Sequence, residues 1–310
     1  MNLLITGGLG HIGSYLIRDL SKQLPIENIT IIDSLRTQRF TSLFNLPKKP
    51  QIKFIESDVK LLKKNLIPNV LKYDFVIHLA AMTDASGSIL NGDELFKNNL
   101  ESTKSVIEYC INFNLPLIFP STTSIYGSQE VLVDERCLNL NPQSPYAECK
   151  LVEENSIIES SNFGLKSIIM RLGTIHGVSE GMRFHTAVNK FCFQAANSLP
   201  LTVWETAMNQ YRPYLSLNDA SRAILHIIRK GLFESEVYNI VTANKTVLDI
   251  IKYIENHSKV KCKINYVKNE IMNQLSYEVS NSKFIETGFI YNGSMSTDIK
   301  ETLELLSGLN

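Results

Sequence analysis

No C-x-x-C pair occurs anywhere in this chain, and its cysteines are odd in number: Cys110, Cys137, Cys149, Cys192 and Cys262. That pattern speaks against a disulfide framework and against a zinc or other metal site, and it fits a reducing, cytoplasmic setting. Net charge is missing too, with 31 basic residues against 31 acidic ones. Electrostatics therefore offer no case for nucleic acid or an anionic membrane as partner. No basic leader precedes Leu3-Leu4-Ile5, and no apolar run is long enough to span a bilayer, so a soluble, unprocessed chain is expected. Internal repeats and low-complexity tracts are absent as well. What remains is 310 residues of ordinary globular composition, 44% hydrophobic and 20% charged. That is enough for one large core or two unequal lobes.

The first half alternates strand and helix. Asn2 to Thr6 is a short apolar run, Gly7-Gly8-Leu9-Gly10-His11-Ile12-Gly13 follows, and then Tyr15, Leu16, Leu20 and Leu24 fall on one side of a helix. Glycines at 7, 10 and 13 allow tight backbone turns whose N–H groups approach a pyrophosphate at the positive end of that helix. Ile29 to Ile32 reads as a second strand, and Asp33 closes it about 20 residues past Gly13, placed to accept hydrogen bonds from an adenosine ribose. A carboxylate there repels a 2′-phosphate, which favours NAD, while Arg36 and Arg39 close by keep NADP open.

Lys53 to Glu56 reads as a third strand leading to Asp58, which either meets the adenine or is an ordinary loop aspartate. Leu61 to Leu71 is amphipathic. Asp74 to Ala81 lacks polar alternation and reads as a strand buried on both faces, with His78 a core histidine rather than a ligand. A helix over Glu94 to Asn112 carries Asn98 and Asn99, and the strand Leu117 to Phe119 runs into Ser121-Thr122-Thr123-Ser124. Hydroxyls at a strand's carboxyl end sit where open α/β sheets bind ligands. After the loop Asn141 to Pro145, a helix runs from Tyr146 to about Ser160, and Lys166 to Met170 is the next strand. The economical architecture is an α/β, Rossmann-like doubly wound parallel sheet. Beyond it the pattern loosens: a loop over Gly173 to Gly181, a helix over Phe184 to Asn197, a strand at Leu201 to Trp204, a helix over Asp219 to Lys230, a strand at Val237 to Val241, and smaller elements after Val247. The expected division is an NAD-binding domain of residues 1–173, with 212–250 returning to it, and a smaller mixed substrate-binding lobe of 174–211 and 251–310.

The chemistry gathers at Tyr146 and Lys150. Four apart on a helix, they share one face. An ammonium beside a phenol favours the phenolate, so a group with an unperturbed pKa of about 10 becomes a base nearer neutral pH. Alcohol oxidation needs such a base.

Thr6-Gly7-x-x-Gly10-x-x-Gly13, Asp33, Asp58-Val59, His78-Leu79-Ala80-Ala81, the Ser/Thr run before Tyr126-Gly127, and Tyr146-x-x-x-Lys150 together resemble the extended short-chain dehydrogenase/reductase family, closest to its NAD-dependent nucleotide-sugar epimerase and dehydratase branch. Tyr211-Arg212-Pro213-Tyr214-Leu215 and Ser282-Lys283-Phe284 through Phe289 extend the resemblance over nearly the whole chain. It implies Thr122, Tyr146 and Lys150 as catalytic residues. It implies NAD binding by Gly7, Gly10, His11, Ile12, Gly13, Asp33, Asp58, Val59, Leu79, Ala80, Ala81 and Asn99, together with Tyr146 and Lys150. It implies substrate binding by Thr122, Thr123, Thr174 and Arg212, the last gripping a diphosphate. Three departures stand out. Thr123-Ser124 replace the Asp-Glu of dehydratases, which disfavours elimination of water. Thr174 stands where the branch carries asparagine. Asn273-Gln274-Leu275-Ser276 replaces the usual Arg-x-Gly-Asp, leaving Arg183 as a candidate for the second substrate contact. The expected function is a nucleotide-sugar epimerase that transiently oxidises the C4 hydroxyl. The alternatives are a net 4-dehydrogenase or 4-ketoreductase in surface-polysaccharide sugar synthesis, and a catalytically silent cofactor-binding protein. The resemblance also implies a cytoplasmic homodimer with a nucleotide-diphosphate sugar as its ligand.

Overall fold

The structure, a computed structural model, describes residues 1–64, 72–83, 92–259, 261–268 and 276–309. Five strands at its centre are short runs of branched apolar residues: β1 (Asn2–Thr6), β2 (Asn28–Asp33), β4 (Phe75–His78), β5 (Leu117–Thr122) and β6 (Ser167–Leu172). With the edge strands β3 (Gln51–Glu56) and β10 (Glu236–Ile240) they form one sheet in the order β10-β6-β5-β4-β1-β2-β3, every pair parallel. Parallel neighbours need helical crossovers on both faces, which is why the inner strands are apolar throughout. The chain starts at β1, builds outward through β2 and β3, then returns beside β1 with β4 and builds the other way. The reversal of strand order lies between β1 and β4, and a sheet of this kind opens a crevice at the carboxyl ends there.

Helices α1 (His11–Gln23) and α5 (Leu217–Lys230) cover one face. Leu16, Ile17 and Leu20 of the first pack with Ile224, Ile227 and Ile228 of the second in a single apolar cluster with Ile5, Ile31 and Ile118. Helices α2 (Gly92–Phe113) and α3 (Pro145–Ser160) cover the other, where Val106, Ile107 and Ile157 meet Leu4, Val76 and Phe119. The start of α3 is fixed locally: Ala147 N–H donates to the Ser144 hydroxyl (3.2 Å), and Pro145 fills the first turn, where no N–H is needed.

A second core forms where α4 (Ala187–Ala196), α6 (Val247–Ser258) and α7 (Met295–Leu306) pack around β8 (Leu201–Trp204). Here β8 pairs in parallel with β12 (Ile264–Val267). Between the cores lies a three-stranded sheet of β7 (Thr174–His176), β9 (Tyr211–Ser216) and β11 (Ala243–Thr246). Glu236–Ile240 pairs in the main sheet as β10, while Tyr211–Ser216 pairs in this small sheet. Strand β7 falls in a stretch whose sequence reads as loop, and β11 in one to which the sequence reading assigns no element. At three and four residues they are too short for alternation to show. The amphipathic stretch 61–71 forms a 3-10 turn over Val59–Lys64, and its remainder lies outside the described residues. So does the 273–275 part of the segment that replaces Arg-x-Gly-Asp. Among the described residues no helix is long and apolar enough to cross a membrane, no His/Cys/Asp/Glu group would hold a metal, and all five cysteines are free.

Candidate active site

A cavity of about 760 Å³ opens along the carboxyl ends of the sheet strands. Each strand delivers its lining residues at its end: Gly7 after β1, Asp33 at the end of β2, Asp58 and Val59 after β3, Leu79, Ala80 and Ala81 after β4, Thr122 at the end of β5, and Gly173 and Thr174 after β6. Tyr146 and Lys150 enter from α3, Arg183 from the loop before α4, and Arg212 from β9. Nearly all the residues that sequence reasoning assigned to cofactor and substrate thus border one space. Two do not. Asn99 is fully buried behind the wall, where it accepts from Met82 N–H (2.8 Å) and donates to Met82 carbonyl (3.0 Å), clamping the chain that leaves β4. Thr123 also sits behind the wall, near Leu172 carbonyl and the Tyr277 hydroxyl (3.3 Å each).

The dinucleotide end is shaped by backbone. Gly7 has φ +67°, and a Cβ there would lie 2.4 Å from Ala80 N, so only glycine lets β1 turn against the chain leaving β4. Asp33 is oriented by two backbone N–H groups, Leu9 (3.1 Å) and Leu35 (2.9 Å). Arg36 and Arg39 both line the cavity, and Arg36 is held in an exposed ion pair with Glu94 (2.7 Å). Asp58 both lines the cavity and closes its own turn, accepting from Lys60 N–H (2.9 Å). His11 is buried, with its Nε2 2.8 Å from Gly177 carbonyl. Burial, then the Arg183 charge, pushes its imidazole down to about 3, so it is neutral and Nε2 carries the proton. The bare glycine floor, the helix N-terminus above it and the oriented Asp33 fit a dinucleotide with a free ribose 2′-hydroxyl.

At the reacting end, Lys150 is held over the Phe119 ring (4.4 Å to its centre) and paired with Glu153 at 3.2 Å. Burial raises the Tyr146 phenol above its ordinary value. Lys150 and Arg183 pull it down while Glu153 pushes with burial, and burial wins. The ammonium therefore acts in the expected direction without prevailing in the ligand-free protein. Thr122 faces Ser124, hydroxyl to hydroxyl at 3.2 Å. Their turn is braced by Arg171, which makes a bidentate pair with Glu154 (3.1 and 2.8 Å) and donates to Tyr126 hydroxyl (2.9 Å). His78 is a satisfied core histidine, as expected: its Nδ1 lies 2.7 Å from the Thr6 hydroxyl and its Nε2 3.1 Å from the Thr103 hydroxyl.

The loop carrying Arg183 is mounted on the glycine turn. Ser179 hydroxyl donates to His11 carbonyl (2.9 Å), Gly181 N–H to Ser14 hydroxyl (2.8 Å), and Arg18 pairs with Glu180 (2.9 Å). Arg183 then donates to Thr83 hydroxyl (2.8 Å). Arg212 is stacked over Trp204 (5.2 Å), and among the described residues its Nη2 is buried with no hydrogen-bond acceptor. A buried donor of this kind is built for an anion.

The model of the NAD-dependent epimerase/dehydratase family matches residues 3–241. The chain belongs to that family. A dTDP-D-glucose 4,6-dehydratase of Dictyostelium discoideum is 32% identical over 275 residues, 83% of this chain and 62% of that protein. The chain spans 47% of a trifunctional UDP-glucose 4,6-dehydratase of Arabidopsis thaliana, at 27% identity. An uncharacterised UDP-glucose epimerase of Bacillus subtilis is 28% identical, covering 86% of this chain and 85% of that one. The crystal structure of a UDP-glucuronic acid 4-epimerase of Bacillus cereus, in complex with UDP-glucuronic acid and NAD, superposes with a TM-score of 0.90 at 26% identity over the whole of both chains. The matching family is one of NAD-dependent epimerases and dehydratases, and the Bacillus cereus relative is crystallised with NAD. Sequence reasoning overlooked several lining residues: Ser124, Lys190, Trp204 and Tyr277. Ser124 lies in the Ser/Thr run and was legible there. The other three come from separate parts of the smaller lobe and carry no shared motif.

Proposed function

We propose that this family member is a nucleotide-sugar 4-epimerase whose sugar bears an acidic group, a hexuronic acid. The observation that carries this reading is the charge arrangement of the cavity. The cavity that Tyr146 lines carries the hydroxyls of Thr122, Ser124, Thr174 and Tyr277 and the cations Lys150, Arg183, Lys190 and Arg212. The carboxylates among the described lining residues, Asp33 and Asp58, lie at the ends of β2 and β3, on the other side of β1. Elimination of water needs a further acid and base beside the sugar, and among the described lining residues no carboxylate stands on that side of β1. Epimerisation needs one base that takes a proton and gives it back. Arg183 acts electrically on Tyr146 as well as on His11 at the glycine turn, so its charge is within reach of the sugar, whereas Arg212 beside Trp204 is suited to the diphosphate. The Bacillus cereus relative, with its uronic acid ligand, supports the same reading.

In the proposed reaction Tyr146 accepts the C4 hydroxyl proton while Thr122 hydrogen-bonds the same oxygen. When bound, NAD supplies reversible two-electron oxidation of the alcohol carbon. Lys150 holds its charge beside the phenol, and Arg183 with Thr174 retains the sugar while its ring turns over. Tyr146 then returns the proton to the inverted alcohol. We also propose a homodimer through α2 and α3, where Phe113, Val152 and Ile158 are exposed. The test of the function is a panel of UDP-, GDP-, dTDP- and CDP-linked hexoses and hexuronic acids with NAD, followed by NADH absorbance and product mass. An isomeric uronic acid without NADH accumulation supports the reading. Stoichiometric NADH points to a net dehydrogenase, and a product lighter by one water to a dehydratase.

A further inference from the structure

Tyr146, Lys150 and Glu153 follow one another at i, i+4 and i+7, one face of α3. Glu153 is fully buried and Lys150 is 4% exposed. A carboxylate is not left at such depth without partners, and Glu153 has two. One oxygen lies 3.2 Å from the Lys150 ammonium, and the other accepts from the Thr103 hydroxyl of α2. Thr103 in turn touches His78 Nε2 (3.1 Å), whose Nδ1 reaches Thr6 at the end of β1 (2.7 Å). One ion pair and three hydrogen bonds therefore join the lysine of the catalytic pair to the strand that opens the glycine turn.

We propose that Glu153 is a positioning residue that fixes the place and charge of Lys150 and thereby sets the pH range in which Tyr146 works as a base. This rests on the reading of Tyr146 as the proton acceptor. The groups facing the pair are Glu153 and Cys149 from α3 itself, His78 from β4, the Phe119 ring from β5, Thr103 from α2 and Arg183 from the loop before α4. His78 is held neutral by burial, down to about 3, and Cys149 is pushed up to about 12, also by burial. Neither changes charge in the working range. Arg183 is a fixed positive charge. Among the described residues Glu153 is then the one negative charge facing the pair, and it acts on both of its members in the same sense. It raises the proton affinity of Lys150 and of Tyr146 together. Removing it lowers both. Below the lysine's titration the phenolate forms more readily, and above it the ammonium is lost sooner.

The experiment compares pH–rate profiles of kcat for the NAD-loaded wild type, Glu153→Gln and Glu153→Asp, on whichever nucleotide sugar the wild type turns over. Thermal midpoint and NAD titration serve as controls of folding. Both limbs of the Glu153→Gln profile are expected to move to lower pH by about one unit, a roughly tenfold rate change at fixed pH on each limb. Glu153→Asp, which keeps the charge on a shorter stem, is expected between the two; if Glu153→Gln does not fold, its displacement alone decides. A loss of rate that is uniform across pH, or a profile that superimposes on the wild type, overturns the proposal. Tyr146→Phe separates the two claims. If it retains turnover, the reading of the base fails; if it is inactive while the Glu153 profiles stay put, only the role of Glu153 fails.

Discussion

Replacing Arg212 with methionine should make the protein more stable and nearly unable to hold its substrate. The guanidinium stays charged at any accessible pH, yet burial disfavours its charged form and the described residues offer it the Trp204 face rather than a carboxylate. Stacking over an indole offsets up to about 2 kcal/mol. Burying a charge without a matched anion costs several kcal/mol, so the ligand-free protein carries a net penalty that methionine of similar length removes. The expected gain is about 1–3 kcal/mol in urea unfolding without ligand. A diphosphate repays the penalty. Two charge-assisted hydrogen bonds at about 1.5–3 kcal/mol each correspond to at least a hundredfold loss of nucleotide-sugar affinity in Arg212→Met, at about 1.4 kcal/mol per tenfold. Calorimetric titration with the nucleotide sugar and with the free nucleoside diphosphate reads this directly, and both should weaken alike. A variant that is less stable than wild type and binds the diphosphate unchanged would refute the reasoning.

Gly181 rests on the glycine turn so closely that a Cβ would lie 2.4 Å from Leu9 carbonyl oxygen and 2.5 Å from that of Gly10. Gly181→Ala should therefore weaken NAD and sugar binding together and cost about 1–3 kcal/mol, measured by titration and unfolding. Thr122→Val should lower kcat by about a hundredfold with little change in NAD affinity, read in steady-state kinetics and cofactor titration. Glu154→Ala leaves the buried Arg171 unpaired and should cost about 3–5 kcal/mol in urea unfolding. His11 and His78 both have folded pKa values depressed from 6.5 to about 3. The stability they confer is present above 6.5 and is lost as pH falls from there towards 3, because the unfolded chain takes up protons that the buried imidazoles refuse. Urea midpoints at pH 7 and pH 5 should differ, with up to about 1.4 kcal/mol per unit from each histidine, and His78→Gln should flatten the dependence.

The glycine turn, Asp33 and the Tyr146–Lys150 pair are legible in sequence because each is local: the chemistry depends on spacing within one turn or one helix. The parallel sheet is legible for the same reason, since strands such as Val76 to His78 show no alternation. Trp204, Lys190 and Tyr277 are not, because only packing of β8, α4 and the 276–279 stretch brings them to the cavity. Glu153 is the instructive miss. Its i+7 spacing from Tyr146 was in plain view, but a glutamate at helical spacing is ordinarily on the solvent face, and nothing local says that α2 covers this one. The balance at Tyr146 was hidden similarly, for the lysine is visible in sequence while the burial that outweighs it is not.

The most direct test of the central claim uses a nucleotide-linked hexuronic acid carrying deuterium at C4, incubated with the enzyme and NAD in ordinary water. Oxidation and return at C4, with Tyr146 handling only the hydroxyl proton, predicts that the inverted sugar keeps its deuterium at C4 and that Tyr146→Phe yields none of it. Deuterium lost to solvent, or an unlabelled 4-keto product formed with a stoichiometric amount of deuterated reduced cofactor, would contradict the account.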